Sequence, residues 1–343
     1  MYQGKYHIHI ENSDASAPVF VGTQKQVDEL LARNPDIADK LHITIGSSDY
    51  DEVERWSKED LDEYYAQMKT ADILVGYTFP TENLRQYAPE LRWIHFISSG
   101  VNHLYPFDWV PADIKLVNNR GVHLPKSGES FAMFLAMLNS HIPRLATSQR
   151  RHKWDRDFTS VITGKTLAII GVGHQGGEMA RKAKQLGLRV VGIDPYAKEN
   201  PNCDLVVDNS RMKEVLADAD FLAIAAPLTP ETEGIVSDEV LGWLPPHAGV
   251  LNVSRGPLLD EAALSRRLRE GKLSGAILDV FCEEPLPEEH FLWDTPNLIM
   301  TPHVSSDDLI NYMPLTLDLT IRNLRNDMAG EPLVNVVNTN KAF

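Results

Sequence analysis

The sequence has few cysteines, because only Cys203 and Cys282 occur among its 343 residues. They lie far apart and follow no spacing typical of a metal-ligand set or a redox pair. A disulfide-stapled secreted scaffold is therefore excluded, and a reduced cytoplasmic setting is expected. No apolar run reaches the length of a membrane span, and the N-terminus has no apolar signal core. We therefore expect neither a membrane span nor a secretory leader.

Positive charge is also scarce. Lys and Arg number 33 against 48 Asp and Glu, and the net charge at pH 7 is -15. Because nucleic acids and anionic membranes bind basic surfaces, neither is an expected partner. An anionic small molecule would need local positive charge in its own site. The remaining composition, 43% hydrophobic and 24% charged, is typical of a globular chain long enough for two domains.

Residues 1–118 alternate strand and helix patterns, which predicts a small α/β domain. In the first strand Tyr6, Ile8 and Ile10 alternate with His7 and His9. This period of two predicts a half-buried strand with both histidines facing outward. A metal site at this pair is not favoured, and no metal is expected.

A glycine turn follows the strand pattern of residues 166–170. Gly171, Gly173 and Gly176 have the G-x-G-x-x-G spacing, and a helix pattern follows them. A glycine-rich surface turn can produce the same spacing. The strand before it and the helix after it favour a dinucleotide site, in which the helix N-terminus binds the pyrophosphate.

An acid ends the next strand pattern. Asp194 lies about 20 residues beyond Gly173, at the distance expected for an acid that binds the adenosine ribose hydroxyls. An acid repels a 2′-phosphate, and no Arg follows directly, since Pro195, Tyr196 and Ala197 come next. The cofactor is therefore predicted to be NAD(H) rather than NADP(H).

The second half of the chain reads as βα units. Strands are predicted to begin at residues 166, 188, 221, 249 and 274, and a last strand covers 297–300. This alternation predicts a doubly wound parallel sheet. Helices are predicted over 127–148 and within 307–329, where Pro314 implies a kink or a late start. We expect a dinucleotide domain at 119–303 and a second domain at 1–118 plus 304–343.

Polar residues follow three predicted strands of the second half. Arg255 comes after one strand, Asp279 and Glu284 after the next, and His303 after the last. Taken singly, each is more simply a surface or loop residue. The carboxyl ends of parallel strands meet at one edge, so together they favour a site with a guanidinium for a carboxylate and a histidine for proton transfer.

The segment 98–103 leaves a predicted strand through Gly100. Its backbone N–H groups could bind an anion, and an ordinary strand-to-helix turn is the alternative. A basic cluster, residues 144–154, is interpreted as a solvated helix end, with a subunit-contact arm as the alternative.

Five motifs in this order resemble the D-isomer-specific 2-hydroxyacid dehydrogenase family over nearly the whole chain. They read GKTLAIIGVGHQG, APLTPETEGIV, GVLNVSRGPLLDEAAL, GAILDVFCEEPLP and LWDTPNLIMTPHVSS. The resemblance implies an α/β fold with two Rossmann-like or flavodoxin-like domains, doubly wound parallel sheets and an active-site cleft between the domains. It also implies a homodimer.

The resemblance assigns roles to the strand-end residues. Arg255 would hold the carboxylate and carbonyl of a 2-keto acid, and Glu284 would pair with His303, the general acid/base. Cofactor contacts would come from Gly171, Gly173, His174, Gln175, Gly176, Asp194, Pro195, Pro227, Thr232, Val253, Ser254, Asp279 and His303. Substrate contacts would come from Ser99, Gly100, Val101, Arg255 and His303, and Tyr77 and Phe79 could line the pocket for the substrate's side chain.

The implied function is NAD(H)-dependent reduction of a small 2-keto acid, or oxidation of the 2-hydroxy acid. Ser99 stands where the family's phosphite-oxidising member has Lys, and Glu284 stands where formate dehydrogenases have Gln, so neither phosphite nor formate is expected. We also expect no C-terminal regulatory domain of the kind found in many phosphoglycerate dehydrogenases. The alternative is an NAD(H)-sensing binding protein of the co-repressor type.

Overall fold

The computed structural model describes residues 4–339. Its strands are β1 (Tyr6–Ser13), β2 (Leu41–Ser48), β3 (Ile73–Gly76), β4 (Trp93–Phe96), β5 (Lys115–Val117), β6 (Thr166–Ile170), β7 (Arg189–Ile193), β8 (Leu205–Val207), β9 (Phe221–Ile224), β10 (Gly249–Asn252), β11 (Gly275–Leu278) and β12 (Leu298–Met300). Its α-helices are α1 (Gln24–Arg33), α2 (Lys58–Met68), α3 (Leu84–Tyr87), α4 (Leu124–Asn139), α5 (Ile142–Arg150), α6 (His174–Gln185), α7 (Met212–Ala217), α8 (Asp238–Leu241), α9 (Glu261–Arg269) and α10 (Tyr312–Ala329).

The chain forms two compact units, which we call the N-terminal unit (residues 4–123 and 307–339) and the central unit (residues 124–306). Each contains one parallel sheet, which confirms the expected α/β class with two parallel-sheet domains. The second division falls after Ser306 because Ser305 is bound to Asp279 of the central unit through its backbone N–H and its hydroxyl. No helix within residues 4–339 combines the length and apolar character that a membrane span requires.

The N-terminal sheet has the strand order β2-β1-β3-β4-β5, with all strands parallel. This is the flavodoxin-like order, and β1 lies inside it between β2 and β3. The prediction that His7 and His9 face outward is wrong, because they are 1% and 0% exposed. The reason is that α2 covers their face of the sheet, with the Tyr64 ring 5.9 Å from that of His9. Interior parallel strands are covered on both faces, so a polar face need not be a solvent face.

The C-terminal helix α10 begins at Tyr312, so the predicted late start at Pro314 is confirmed. Proline is tolerated there because the first-turn N–H groups have no helical acceptor. The helix packs in the N-terminal unit through Leu317, Ile321 and Leu324. Thr320 of this helix also contacts His95 of β4, with Oγ1 2.7 Å from Nδ1.

The central sheet has the order β12-β11-β10-β9-β6-β7-β8, again all parallel. The six predicted strands are confirmed. The seventh, β8, was not predicted, because it has three residues and is the outermost strand, paired only with β7. Since all strands run the same way, the residues that follow β6, β7, β10, β11 and β12 lie at one edge of the sheet.

The single helix predicted over 127–148 is wrong. The structure has two helices, α4 and α5, separated at Ser140 and His141. His141 has a φ of 51°, and Pro143 follows in the first turn of α5. A proline cannot donate the backbone hydrogen bond that a continuous helix would need at this position, so the chain starts a new helix instead.

The buried His95 of β4 makes the free energy of unfolding depend on pH. Burial lowers the pKa of His95 to about 4, from about 6.5 in an unfolded chain. Folding therefore excludes a proton that the unfolded chain binds. We expect the free energy of unfolding to be unaffected by His95 above pH 6.5, and to fall as pH drops towards 4, by up to about 3 kcal/mol. Urea unfolding followed by circular dichroism between pH 8 and pH 4.5 measures this loss.

The matched variant for this measurement is His95→Gln, which removes the titrating group but keeps a polar side chain. Its unfolding free energy should fall less steeply with acid than that of the parent protein over the same range. Equal slopes for the two proteins would contradict the assignment to His95.

Candidate active site

Two glycines of the turn after β6 are required by the packing of the central unit itself. Gly171 has a φ of 85°, and a Cβ there would lie 2.7 Å from the backbone N of Ala226. A Cβ on Gly176 would lie 1.9 Å from the carbonyl oxygen of Gly171. Any side chain at either position would push the start of α6 away from the sheet. The turn therefore holds the helix N-terminus close to the sheet edge.

Gly173 is different, because its surroundings in the protein do not require a glycine. It is the N-cap of α6 and has no side chain that could bind the first-turn N–H groups. A Cβ added to it would meet no atom within 4 Å. The first-turn N–H groups of a helix point towards its N-terminus and favour an anion there. A glycine at this cap lets a phosphate approach the backbone, so the turn fits a dinucleotide pyrophosphate. His174 and Gln175 are the next two residues, in the first turn of the helix.

Asp194 follows β7, beside the glycine turn. One carboxylate oxygen accepts a hydrogen bond from Val172 N at 3.0 Å, and the other accepts from Tyr196 N at 2.9 Å and Ala197 N at 3.0 Å. A carboxylate has about four acceptor positions, so one remains for a hydroxyl donor. The three backbone donors fix the orientation of the carboxylate, as a ribose-binding acid requires. Pro195, also a predicted contact, is exposed next to it.

The turn after β10 carries Arg255. Ser254 is buried and its hydroxyl donates to Ala226 O at 2.5 Å, while Asn252 Nδ2 donates to Arg255 O at 2.9 Å. Gln175 Nε2 donates to Val253 O at 3.2 Å, which links this turn to α6. The Arg255 side chain is exposed at the sheet edge, with its guanidinium donating to Ser254 O at 2.7 Å.

Gly256, which was not predicted as a site residue, joins this turn to the next. A Cβ on Gly256 would lie 1.9 Å from the backbone carbon of Phe281. Only glycine therefore lets the Arg255 turn pack against the loop that follows β11. The adjacent glycine in the SRG sequence was a signal that could have found this contact.

Glu284 and His303 form a hydrogen-bonded pair. His303 Nδ1 lies 2.8 Å from Glu284 Oε2, and Glu284 Oε1 accepts from Phe281 N at 2.8 Å. Their side chains are 41% and 37% exposed, so the pair is accessible to a small molecule. With Nδ1 directed at the carboxylate, Nε2 is the ring atom that can exchange a proton with a substrate.

The backbone of His303 lies in the left-handed region, with a φ of 53°. Such a conformation costs a non-glycine residue about 1–3 kcal/mol and needs support from its surroundings. Asp279, directly after β11, supplies that support, because its carbonyl oxygen accepts from His303 N at 2.8 Å. Its buried carboxylate accepts from the Thr301 hydroxyl at 2.5 Å, the Ser305 hydroxyl at 2.6 Å and Val304 N at 3.2 Å. Asp279 stays a predicted cofactor contact, but in the structure it positions the His303 loop.

Glu261 was missed by the sequence analysis. It is the first residue of α9, it is buried, and its Oε1 accepts from Cys282 N at 2.8 Å. It thereby holds the loop that carries Glu284. The signal was an acid in the first turn of a predicted helix, which more often serves the helix dipole.

The loop after β9 contains the predicted cofactor contacts Pro227 and Thr232. Thr232 Oγ1 donates to Pro227 O at 2.6 Å, so the two residues form one turn at the carboxyl edge of the sheet. Their contact with a cofactor stays a prediction.

The N-terminal unit carries the remaining predicted residues at the carboxyl ends of β3 and β4. Asn118 Nδ2 donates to Ser99 O at 2.9 Å, and the Ser98 hydroxyl donates to Gly100 O at 2.6 Å. These bonds brace the turn from its carbonyl side. Val101 is fully buried, and its contact with a substrate stays a prediction. For Ser99 and Gly100, substrate binding stays a prediction.

The two aromatic residues after β3 behave differently. Tyr77 is half-exposed and stacks on His103, with ring centroids 4.1 Å apart. Phe79 is only 1% exposed and packs against Phe96 and Trp109. The Phe79 ring therefore packs in the hydrophobic core while the residue also lines a cavity with Tyr77 and Thr78, and its contact with a substrate stays a prediction.

Two known enzymes are similar to this chain over most of its length. The chain is 30% identical over 326 residues to the D-3-phosphoglycerate dehydrogenase of Methanocaldococcus jannaschii, covering 90% of this chain but only 59% of that protein. It is 31% identical over 307 residues to the hydroxypyruvate reductase of Blautia hydrogenotrophica, covering 83% of this chain and 90% of that protein.

A solved structure has the same fold. The D-isomer specific 2-hydroxyacid dehydrogenase from Xanthobacter autotrophicus Py2, in complex with NADPH and MES, superposes with a TM-score of 0.79 at 24% identity, covering 98% of this chain and 99% of that one. The model of the D-isomer specific 2-hydroxyacid dehydrogenase NAD binding domain matches residues 131–305. This chain therefore belongs to the D-isomer specific 2-hydroxyacid dehydrogenase family, and its central unit contains that family's NAD-binding domain.

Proposed function

We propose that the protein is an NAD(H)-dependent D-2-hydroxyacid dehydrogenase that reduces a small 2-keto acid. The observation that carries the proposal is the Glu284–His303 pair, 2.8 Å apart, at the same sheet edge as the glycine turn and Arg255. This edge presents an anion-binding helix N-terminus, a fixed guanidinium and a proton donor together. Without the Glu284–His303 pair, the same sheet edge would suit a protein that only binds a nucleotide equally well.

A nicotinamide dinucleotide held by the glycine turn and Asp194 would supply the hydride for C2 of the substrate. His303 Nε2 gives a proton to the carbonyl oxygen, while Glu284 orients the ring through Nδ1 and stabilises the charged imidazolium. Arg255 neutralises the substrate carboxylate and polarises the carbonyl, a preorganised contribution of roughly several kcal/mol. Oxidation of the hydroxy acid follows the same steps in reverse.

The charge of one cavity favours a keto acid without a phosphate group. Tyr77 and Thr78 line a cavity of about 620 Å³, whose described lining residues include Asp51, Glu52, Glu54 and Glu82 and no Lys or Arg. A phosphate group near these carboxylates would be repelled. The hydroxypyruvate reductase is therefore the better guide to the substrate than the phosphoglycerate dehydrogenase, of which this chain spans 59%.

We also propose that two copies of the chain form a dimer through an exposed arm, residues 153–161. Trp154, Phe158 and Val161 are 89%, 87% and 77% exposed, although large apolar side chains are normally covered. Asp157 of the arm pairs with Arg144 at 3.2 Å, which accounts for part of the predicted basic cluster. The charged residues hold the arm while its apolar side chains face outward, as a subunit contact requires.

Replacing His303 by Gln should lower kcat/KM for keto acid reduction by roughly 10²–10⁴-fold, because no group would then supply the proton. The measurement is NADH oxidation with glyoxylate, hydroxypyruvate, pyruvate and phenylpyruvate, and NADH affinity should be nearly unchanged. His247→Gln is the matched control, since His247 precedes β10 at the opposite end of the sheet. Tight NADH binding without turnover of any keto acid by the parent protein would favour the NAD(H)-sensing alternative.

Asp194→Asn combined with Tyr196→Arg should shift cofactor preference towards NADPH. The change removes the carboxylate that repels a 2′-phosphate and adds a guanidinium that can bind it. We expect the ratio of kcat/KM for NADPH to that for NADH to rise by at least roughly tenfold, about 1.4 kcal/mol. Asp208→Asn, after the neighbouring strand β8, should leave the ratio unchanged, and an unchanged ratio in the double variant would contradict the role of Asp194.

Trp154→Ser should weaken self-association by at least roughly tenfold, because buried aromatic anchors contribute most of the binding energy at such contacts. Sedimentation velocity over a range of protein concentrations measures the dissociation constant. Ile310→Ser is the control, because Ile310 is similarly exposed but lies outside the arm. A parent protein that stays monomeric at all concentrations would overturn the proposal.

A further inference from the structure

A continuous line of hydrogen bonds crosses one face of the N-terminal sheet. It runs from Thr70 Oγ1 to His7 Nδ1 (2.9 Å), from His7 Nε2 to Thr44 Oγ1 (2.7 Å), from Thr44 Oγ1 to His9 Nδ1 (2.9 Å) and from His9 Nε2 to Glu11 Oε2 (2.9 Å). Both ring nitrogens of both histidines are therefore engaged in the same line. None of these residues belongs to the catalytic arrangement described above.

The register of the sheet explains the alignment. Residues 7, 9 and 11 alternate along β1 and so share one face, and Thr44 on β2 lies opposite His9. Gly46 on the same strand makes room for the acid, because a Cβ there would lie 2.5 Å from Glu11 Oε2. The line is thus built into the sheet by backbone pairing and one glycine.

Burial covers both histidines and the acid, whereas the two threonines of the line are partly accessible. His7, His9 and Glu11 are buried, and Thr70 at one end and Thr44 between the histidines are half-buried. Burial is the main cause that lowers the pKa of His7 to about 4, and the neighbouring His42 adds to it. Burial also raises the pKa of Glu11. The other titratable groups around the line are Asp60, Glu63 and Tyr64 of α2, His42 of β2, and Asp72 just before β3.

The line can be fully hydrogen-bonded in two states. When Glu11 is ionised, Thr70 donates to His7 Nδ1, His7 Nε2–H donates to Thr44, Thr44 donates to His9 Nδ1, and His9 Nε2–H donates to Glu11. When Glu11 is protonated, every bond reverses: Glu11 donates to His9 Nε2, His9 Nδ1–H to Thr44, Thr44 to His7 Nε2, and His7 Nδ1–H to Thr70. The second state holds one more proton, and neither state leaves a ring nitrogen without a partner.

We propose that this line is a proton relay that connects the accessible Thr70 to the buried Glu11. A proton that reaches Thr70 displaces each bridging proton by one position, so that Glu11 becomes protonated. His7 and His9 both change from the Nε2–H to the Nδ1–H tautomer in the same step. The N-terminal sheet thereby takes up a proton by reversing a whole line of hydrogen bonds.

A metal ion does not account for the same residues. Within residues 4–339 no group of three or more His, Cys, Asp and Glu side chains is arranged to hold one. The two histidines are bridged by a threonine hydroxyl, which suits hydrogen bonding to both rings. The ligand of this arrangement is a proton.

The test is NMR of the full chain labelled with ¹⁵N in histidine, because the shifts of Nδ1 and Nε2 report the tautomer. Between pH 5 and pH 8.5 we expect His7 and His9 to change tautomer together, at the same midpoint as the ¹³C-labelled Glu11 carboxyl. Glu11→Gln should abolish the change in both rings. His95 is the internal control, because it lies on β4 outside the line and should keep one tautomer throughout.

Thr44→Val separates a relay from two independent histidines. It removes the bridging hydroxyl with little change in volume, so His9 should still follow Glu11 while His7 no longer responds, and Thr44→Ser should restore the response of His7. Titration of Glu11 without a tautomer change in the parent protein, or an unaltered His7 response in Thr44→Val, would overturn the proposal. Neither readout depends on catalysis, so failure of the relay and failure of the proposed function are distinguishable.

Discussion

The parallel direction of the seven central strands is the constraint on which the candidate active site depends. It places the residues that follow β6, β7, β10, β11 and β12 at one edge, although they are distant in sequence. Glycines then set the spacing between neighbouring loops, since the carbonyl of Gly171 and the backbone of Phe281 lie where side chains on Gly176 and Gly256 would have to be. The chemistry of the edge therefore rests on close backbone packing that few other residues permit.

Buried acids hold in place the loops that carry Glu284 and His303. The carboxylate of Asp279 accepts hydrogen bonds from hydroxyl and backbone donors of the loop that carries His303. The carboxylate of Glu261 accepts one from a backbone N–H of the loop that carries Glu284. A buried carboxylate is tolerated only when its oxygens are saturated by donors, and these loops supply them. The same bonds sustain the left-handed backbone of His303. The exposed pair Glu284–His303 is thus positioned by buried acids.

Sequence patterns identified most elements and the polar residues that meet at the carboxyl ends of the central strands, and the misses have physical causes. Alternation in β1 correctly indicated a strand, but it cannot tell whether a polar face meets water or a helix, and α2 covers His7 and His9. Phe79 follows a strand like Tyr77, and the packing of its ring against Phe96 and Trp109 cannot be read from the sequence. The strand β8 is too short to produce a period, and the contact made by Glu261 joins segments distant in sequence.

The sequence by itself determined what is local: the strand, glycine turn and helix around Gly171 to Gly176, and the acid at Asp194. Each follows from backbone preferences or residue spacing within a short segment. The tertiary structure alone decided which acceptor holds which donor, including the roles of Asp279 and Glu261 and the line from Thr70 to Glu11. Hydrogen bonds act only over about 3 Å, so these partnerships exist only after distant strands and helices have been brought together by folding.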